Sequence, residues 1–326
     1  MTHLKRPEKN LDLYAGGTPL EARTPLYWVS EKRYISRIWI KKLGEYVSGN
    51  TIGGCRMTYA VSDIHGCYDK YIDLLHKISF GPHDTLYVLG DVIDRGPDGF
   101  KILLDMAQRP NVINLLENHE AMAIDTLPRM LRAVQPDGSV ELTEEDAKAV
   151  ERWFYNGGEL SLADFLWLNK DQMQVVWNYL LKMPLYQEVN VRDRQFILVH
   201  GGLENFSPSR PLGNYTPDEI LWCRPELDTV YYEDKIVIFG HTPVQFLEPD
   251  TPAKIYRRGS LIDIDCGCAF PGGRLGCLCL DTLEEILCIN AHGNRAAALI
   301  RDGSSIPPNR HLPAALRQGS EAQQPS

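Results

Sequence analysis

Five apolar runs in this 326-residue chain each stop at a side chain able to hold a metal ion. Residues 58–62 lead into Asp63-Ile64-His65-Gly66, and 85–89 into Gly90-Asp91-Val92-Ile93-Asp94-Arg95-Gly96-Pro97. Residues 112–116 end in Glu117-Asn118-His119-Glu120, 195–199 in His200-Gly201-Gly202, and 235–239 in Gly240-His241-Thr242. Short apolar runs bounded by turn residues read as buried strands. A lone histidine after a strand is ordinarily a satisfied polar group, and Asp and Arg in a Gly/Pro loop are ordinarily a solvated turn. Five such ends together are hard to explain that way. Open α/β sheets gather their sites at the C-terminal edge of the strands, so an α/β fold with one site at that edge is expected.

The donor types narrow the chemistry. Carboxylate, imidazole and amide without thiolate suit Mn, Fe, Zn, Ni or Co rather than a soft-metal site. The donors are also too many for one catalytic ion that keeps an open position. Two divalent ions sharing a bridging carboxylate account for them.

Composition excludes other classes. A net charge of -9 offers no basic excess to displace counterions, which argues against nucleic acid as a partner. No apolar run has membrane-spanning length, so no membrane partner is expected, and residues 1–10 are too polar for a signal peptide. Eight cysteines without a secretion signal point to reduced thiols and a cytoplasmic setting.

Residues 1–56 differ from the rest and are read as an accessory or non-native N-terminal arm, with the catalytic domain over 57–292. Tyr71, Leu74, Leu75 and Ile78 have helical spacing. Residues 121–182 read as a helical insert, broken at Gln135-Pro136-Asp137-Gly138 and at Asn156-Gly157-Gly158. Its aromatics, Trp153, Phe154, Trp167 and Trp177, are expected in the core. Residues 261–265 and 275–290 look like a closing hairpin, and the polar, Pro-rich stretch 293–326 is expected to be disordered. Cys266, Cys268, Cys277 and Cys279 form two Cys-x-Cys pairs, too close within each pair for common zinc knuckles. Their period-two placement on strands favours small buried side chains on one face. Cys67 reads as an oxidation liability, and His3, His76, His83, His292 and His311 carry no motif.

The strand-end motifs, in this order, resemble the calcineurin-like metallophosphoesterases, and within them the compact bacterial and phage form of the phosphoprotein phosphatases. Trp153 with Asn156-Gly157-Gly158, and Trp222-Cys223-Arg224, are lesser echoes. The resemblance implies a two-sheet β-sandwich flanked by helices, with a dinuclear metal site at the strand C-termini. It implies one metal on Asp63, His65 and Asp91, and a second on Asp91, Asn118, His200 and His241. It makes His119 a general acid oriented by Asp94, and Arg95 and Arg224 grips for phosphate oxygens, with Asn118 also touching substrate. In such chemistry two cations about 3.5–4 Å apart hold a hydroxide for direct in-line attack. The implied substrate is a phosphorylated protein or another phosphate ester, with Mn the leading metal.

Asp94 favours a serine/threonine protein phosphatase over a dinucleoside tetraphosphate hydrolase of the same fold, since enzymes of the latter type often replace it. A catalytically weak phosphate-binding protein is the remaining alternative. Glu117 stands where the family normally has glycine. It is expected to point to the opposite face; turned inward, it would weaken phosphate binding or add a ligand.

Overall fold

The computed structural model describes residues 56–289, apart from 136, 138, 227–228 and 248–252. The N-terminal arm and the tail assigned from sequence therefore lie outside the described residues, save for Arg56.

Two five-stranded sheets carry the fold. The first contains β1 (Thr58–Val61), β2 (Thr85–Val88), β3 (Val112–Asn114), β9 (Leu275–Cys279) and β10 (Glu285–Cys288) in the order β10-β9-β1-β2-β3. The second contains β4 (Tyr186–Val191), β5 (Arg194–Val199), β6 (Lys235–Phe239), β7 (Tyr256–Arg258) and β8 (Leu261–Asp263) in the order β4-β5-β6-β8-β7. β1, β2 and β3 run parallel, as do β5, β6 and β8. All five ligand-bearing strand ends belong to these parallel strands.

Period-two alternation explains how the sheets pack. Ala60, Phe196, Leu198, Ile238, Ile262 and Leu278 point into a core shared by the two sheets. Tyr59, Val61, Leu275, Cys277 and Cys279 face the opposite way, against helices. Ile197, Val199, Val237 and Phe239 form the outer core of the second sheet, beneath Leu203, Ile220 and Tyr231. Both faces of the central strands are thus buried, as expected for near-continuous apolar runs. Each fully buried Val, Leu or Ile side chain contributes roughly 1.5–3 kcal/mol.

The helices are α1 (Tyr68–Lys77), α2 (Gly99–Met106), α3 (Asn118–Ala133), α4 (Glu144–Tyr155), α5 (Gly158–Leu166), α6 (Lys170–Leu180), α7 (Pro217–Leu221) and α8 (Val244–Leu247). α1 buries Tyr71, Leu74 and Leu75, the face its spacing marks. Trp153 is fully buried, whereas Trp167 is 82% exposed, contrary to a core role. It follows the end of α5, where Phe165 and Leu162 supply the buried face instead.

The closing hairpin also needs correction. β8 lies in the second sheet between β6 and β7, while β9 and β10 form the hairpin by themselves in the first. Alternation marks a strand but does not say which sheet it joins, and the turn at 264–274 carries the chain between them. The cysteines divide accordingly. Cys266 sits in the core between the sheets, and Cys268, Cys277 and Cys279 sit in the helical-side core. No cysteine belongs to a metal-holding group among the described residues.

Candidate metal centre

The site grows from turns at the parallel strand ends. After β1 and β2 the backbone enters left-handed conformations at Asp63 (φ 52°), His65 (φ 46°), Asp91 (φ 50°), Asp94 (φ 66°) and Arg95 (φ 63°), and His241 after β6 does the same (φ 67°). Non-glycine residues seldom adopt such angles, and clusters of them occur at functional sites. The turns interlock: the His65 amide donates to the Asp91 carbonyl (2.8 Å) and the Gly66 amide to Val92 (2.7 Å). Glu120 Oε1 accepts from the amides of Val92 and Ile93, both at 3.0 Å, and so fixes the loop that follows Asp91.

Asp91 is the centre. One oxygen lies 3.3 Å from His65 Nε2 and 3.7 Å from His119 Nε2; the other lies 3.4 Å from His200 Nε2. Asp63 Oδ1 is 4.0 Å from His65 Nε2. On the other side His200 Nε2 meets Asn118 Oδ1 at 2.9 Å and His241 Nδ1 at 3.1 Å. Asp63, His65, Asp91, Asn118, His119, His200 and His241 are all buried.

The histidine tautomers decide what this cluster can hold. His65 Nδ1 is 2.9 Å from the Ile93 carbonyl, and His200 Nδ1 is 2.9 Å from the Leu89 carbonyl. A carbonyl only accepts, so in each neutral ring Nδ1 carries the proton and Nε2 presents a lone pair. The His200 lone pair faces the Asp91 and Asn118 oxygens, which also only accept, and the His65 lone pair faces Asp91 as well as the Arg95 guanidinium. Asp63 Oδ1 and Asp91 Oδ1 are buried without a hydrogen-bond donor. Acceptors facing acceptors are unfavourable unless a cation lies between them. The donor set therefore fits divalent ions, with Asp91 placed to touch both halves.

Electrostatics agrees. Burial would raise the Asp91 carboxyl, but His119, His200 and His65 together hold it well below the usual carboxylate range. Asp63 is raised, by burial and then by the Asp91 charge. Burial, reinforced by His200, pushes His241 down to about 2, so its imidazole is neutral and ready to ligate.

His119 lies in the first turn of α3, with Nδ1 2.6 Å from Asp94 Oδ2. Asp94 is fully buried, and the Trp153 indole N–H donates to both its oxygens at 3.1 and 3.0 Å. Arg95 reaches His65 Nε2 (2.5 Å) and His119 Nε2 (3.1 Å), so its guanidinium overlies the ligands. Arg224 is exposed and donates to the His241 carbonyl and Thr242 Oγ1, both at 2.9 Å. The structure thus gathers every candidate residue at one strand edge.

Glu117 does something neither sequence alternative contained. It caps α3, accepting from the His119 amide (2.5 Å) and the Glu120 amide (2.7 Å), and it is fully buried. Its oxygens lie within 4.8 Å of those of Asp91 and Glu120, a grouping that could itself hold an ion, and each accepts one helix N–H. Its stem fills the space over Gly90 (φ 103°), where a Cβ would collide with it. A carboxylate at a helix N-terminus is favourable.

Some residues of the site were not visible as motifs. Ser62 Oγ donates to Asp63 Oδ2 (2.5 Å), with no sequence signal. Asp263 and Asp265 are buried and raised well above the carboxylate range, Asp263 by burial and then Asp265, Asp265 by burial and then Asp63 and Asp91. Their signal was the same as elsewhere, an apolar strand ending in acids. Arg152 stacks on Trp222, 4.8 Å from the ring centroid, and Trp222 meets the His241 ring edge-on at 6.1 Å.

Comparison with known proteins agrees with this geometry. The calcineurin-like phosphoesterase family model matches residues 58–266. A symmetrical bis(5'-nucleosyl)-tetraphosphatase from Baumannia cicadellinicola is 25% identical over 232 residues, 69% of this chain and 68% of that protein. One of the same description from Escherichia coli O139:H28 is 35% identical over 99 residues, but the match spans only 35% of its length and 29% of this chain. Among solved structures, a protein serine/threonine phosphatase from Saccharomyces cerevisiae is 14% identical, with a TM-score of 0.46 over 76% of this chain and 84% of that one. With the family model covering most of the chain's described residues and the strand-end donors converging on one centre, the chain belongs to the calcineurin-like phosphoesterase family, and it is a hydrolase of that metal-dependent kind.

Proposed function

We propose that this hydrolase cleaves phosphomonoesters of alcohols, with phosphoserine or phosphothreonine in proteins as the substrate class. The observation that carries this reading is the buried chain from Trp153 through Asp94 to His119. An alkoxide is a poor leaving group and needs a proton as the P–O bond breaks. A phosphate-chain leaving group departs as a stable anion and needs none. A positioned imidazolium supplies such a proton at a gain of typically about 10²–10⁴-fold. Asp94 Oδ2 accepts a hydrogen bond from His119 Nδ1–H, which leaves Nε2 as the end that faces the reacting ester.

Asp63, His65 and Asp91 would hold one divalent ion, and Asp91, Asn118, His200 and His241 the other. When bound, such ions supply a nucleophile at neutral pH and neutralise charge on the phosphoryl group. Arg95 and Arg224 would grip phosphate oxygens, a planar guanidinium matching two of them at once. For that, Arg95 turns from the His65 and His119 lone pairs to the substrate. Asn118 orients the phosphate beside His200.

The relatives described as symmetrical bis(5'-nucleosyl)-tetraphosphatases favour a second reading, hydrolysis of dinucleoside tetraphosphates. Purified protein with manganese, assayed in parallel on a phosphoserine peptide and on diadenosine tetraphosphate, separates the two. The proposal expects the higher kcat/KM on the peptide; a preference for the dinucleotide by orders of magnitude overturns it.

A further inference from the structure

α4 presents two neighbouring side chains to opposite sides. Trp153 turns inward to Asp94, while Arg152 is exposed and lies over the Trp222 ring at 4.8 Å. Trp222 in turn sits edge-on to His241 at 6.1 Å. Arg152 thus belongs to the rim of the site, two ring contacts from a proposed metal ligand. No carboxylate pairs with it among the described residues. Two half-buried arginines differ in this: Arg129 is taken up by Asp125, Glu145 and Asp146, and Arg210 by Glu219. The chain carries a net charge of -9, yet it sets an uncompensated guanidinium here. Stacking on the indole face orients the guanidinium without consuming its N–H donors. It remains available for an anion.

We infer that Arg152, held on Trp222, reads a second negative charge on the substrate, an acidic side chain close in sequence to the phosphorylated residue. This rests on the protein-phosphatase reading above. An extended peptide advances at most about 3.3–3.6 Å per residue. The ring contacts of 4.8 and 6.1 Å that separate Arg152 from His241 then correspond to an acid within about three residues of the phosphoserine. Arg95 and Arg224 grip the phosphate being cleaved; Arg152 chooses among peptides that present one.

The test compares two phosphoserine peptides of equal length, one with glutamates within three residues of the phosphoserine and one with glutamines there. For the manganese-loaded wild type we expect kcat/KM to favour the acidic peptide about fivefold, which is about 1 kcal/mol, with the difference mainly in KM. Raising the salt concentration should shrink that ratio. Arg152→Gln should bring the ratio to about one, Arg152→Glu should invert it, and Arg152→Lys should restore part of it. A wild-type ratio of one, or a ratio that survives Arg152→Gln, overturns the inference. So does an equal fall on both peptides, which would make Arg152 part of the common phosphate grip. The wild-type salt series needs no variant to fold. If neither peptide is hydrolysed while diadenosine tetraphosphate is, the protein-phosphatase reading has failed, and this inference fails with it.

Discussion

Replacing Asp94 by Asn is the sharpest probe of the proposed chemistry. The amide keeps the shape and can still accept one hydrogen bond, but the charge that faces His119 Nδ1 at 2.6 Å is gone. Both partners are buried, at 1% and 0% exposure, so water cannot replace it. A hydrogen bond to a charged partner contributes about 1.5–3 kcal/mol. At 1.36 kcal/mol per tenfold in rate, that is a loss of about 10- to 150-fold in kcat. His119→Asn removes the acid outright and should cost about 10²–10⁴-fold. The loss must depend on the leaving group. It should be large for a phosphoserine peptide and several-fold or less for p-nitrophenyl phosphate, whose leaving group departs as a stabilised anion. The assay is steady-state kinetics on both substrates, with metal content measured on each variant. An equal loss on the two substrates, or loss of bound metal from Asp94→Asn, would refute the assignment of Asp94 and His119 to proton donation.

Asp91→Asn should abolish turnover and lower metal content, because Asp91 touches both halves of the donor set; retention of two ions per chain by mass spectrometry would contradict the bridging role. A chelator should lower the wild-type melting temperature and manganese should restore it, each bound ion adding about 2.7 kcal/mol of stability at a hundredfold excess over its Kd; a melting temperature unmoved by chelator would contradict a bound metal pair. Glu117→Ala should destabilise the protein by about 0.5–2 kcal/mol through loss of the α3 cap, with kcat/KM changed less than tenfold; a larger kinetic effect in chemically stable protein would place Glu117 in the chemistry. Asp263 has a raised carboxyl pKa, so the folded state binds its proton more tightly than the unfolded chain does. Its contribution falls as pH rises above about 4, by about 1.4 kcal/mol per unit until Asp263 itself ionises. Asp263→Asn should therefore raise the melting temperature at pH 8 and change it little at pH 4; a gap independent of pH would show that the charge is not the cause.

The strand-end donors were legible because each sits beside the apolar run that positions it. Local sequence then carries both the element and the ligand, and parallel pairing brings the ends together. The pairing of His119 with Asp94 was implied by the family resemblance instead, and the two side chains lie 2.6 Å apart. Arg152 was not legible: it lies on a helical surface, and only a long-range contact brings it to Trp222, just past the end of α7. Trp167 misled because an aromatic residue shows its hydrophobicity in sequence but not the face it occupies. β8 misled because alternation is blind to sheet membership. Glu117 shows the limit of reading a departure from a motif. Its two expected orientations concerned the site, while the helix N-terminus behind it offered a third partner.

The left-handed backbone at Asp63, His65, Asp91, Asp94, Arg95 and His241 has a consequence for how this protein can change. Each such angle costs a side-chain-bearing residue roughly 1–2 kcal/mol that glycine would not incur. At buried Asp94 the hydrogen bonds to His119 and Trp153 that glycine would forfeit outweigh the relief. At exposed Arg95 nothing comparable is lost, so glycine there would ease the backbone while removing a proposed phosphate grip. A laboratory screen that rewarded thermal resistance alone would reach position 95 before it touched the buried donors.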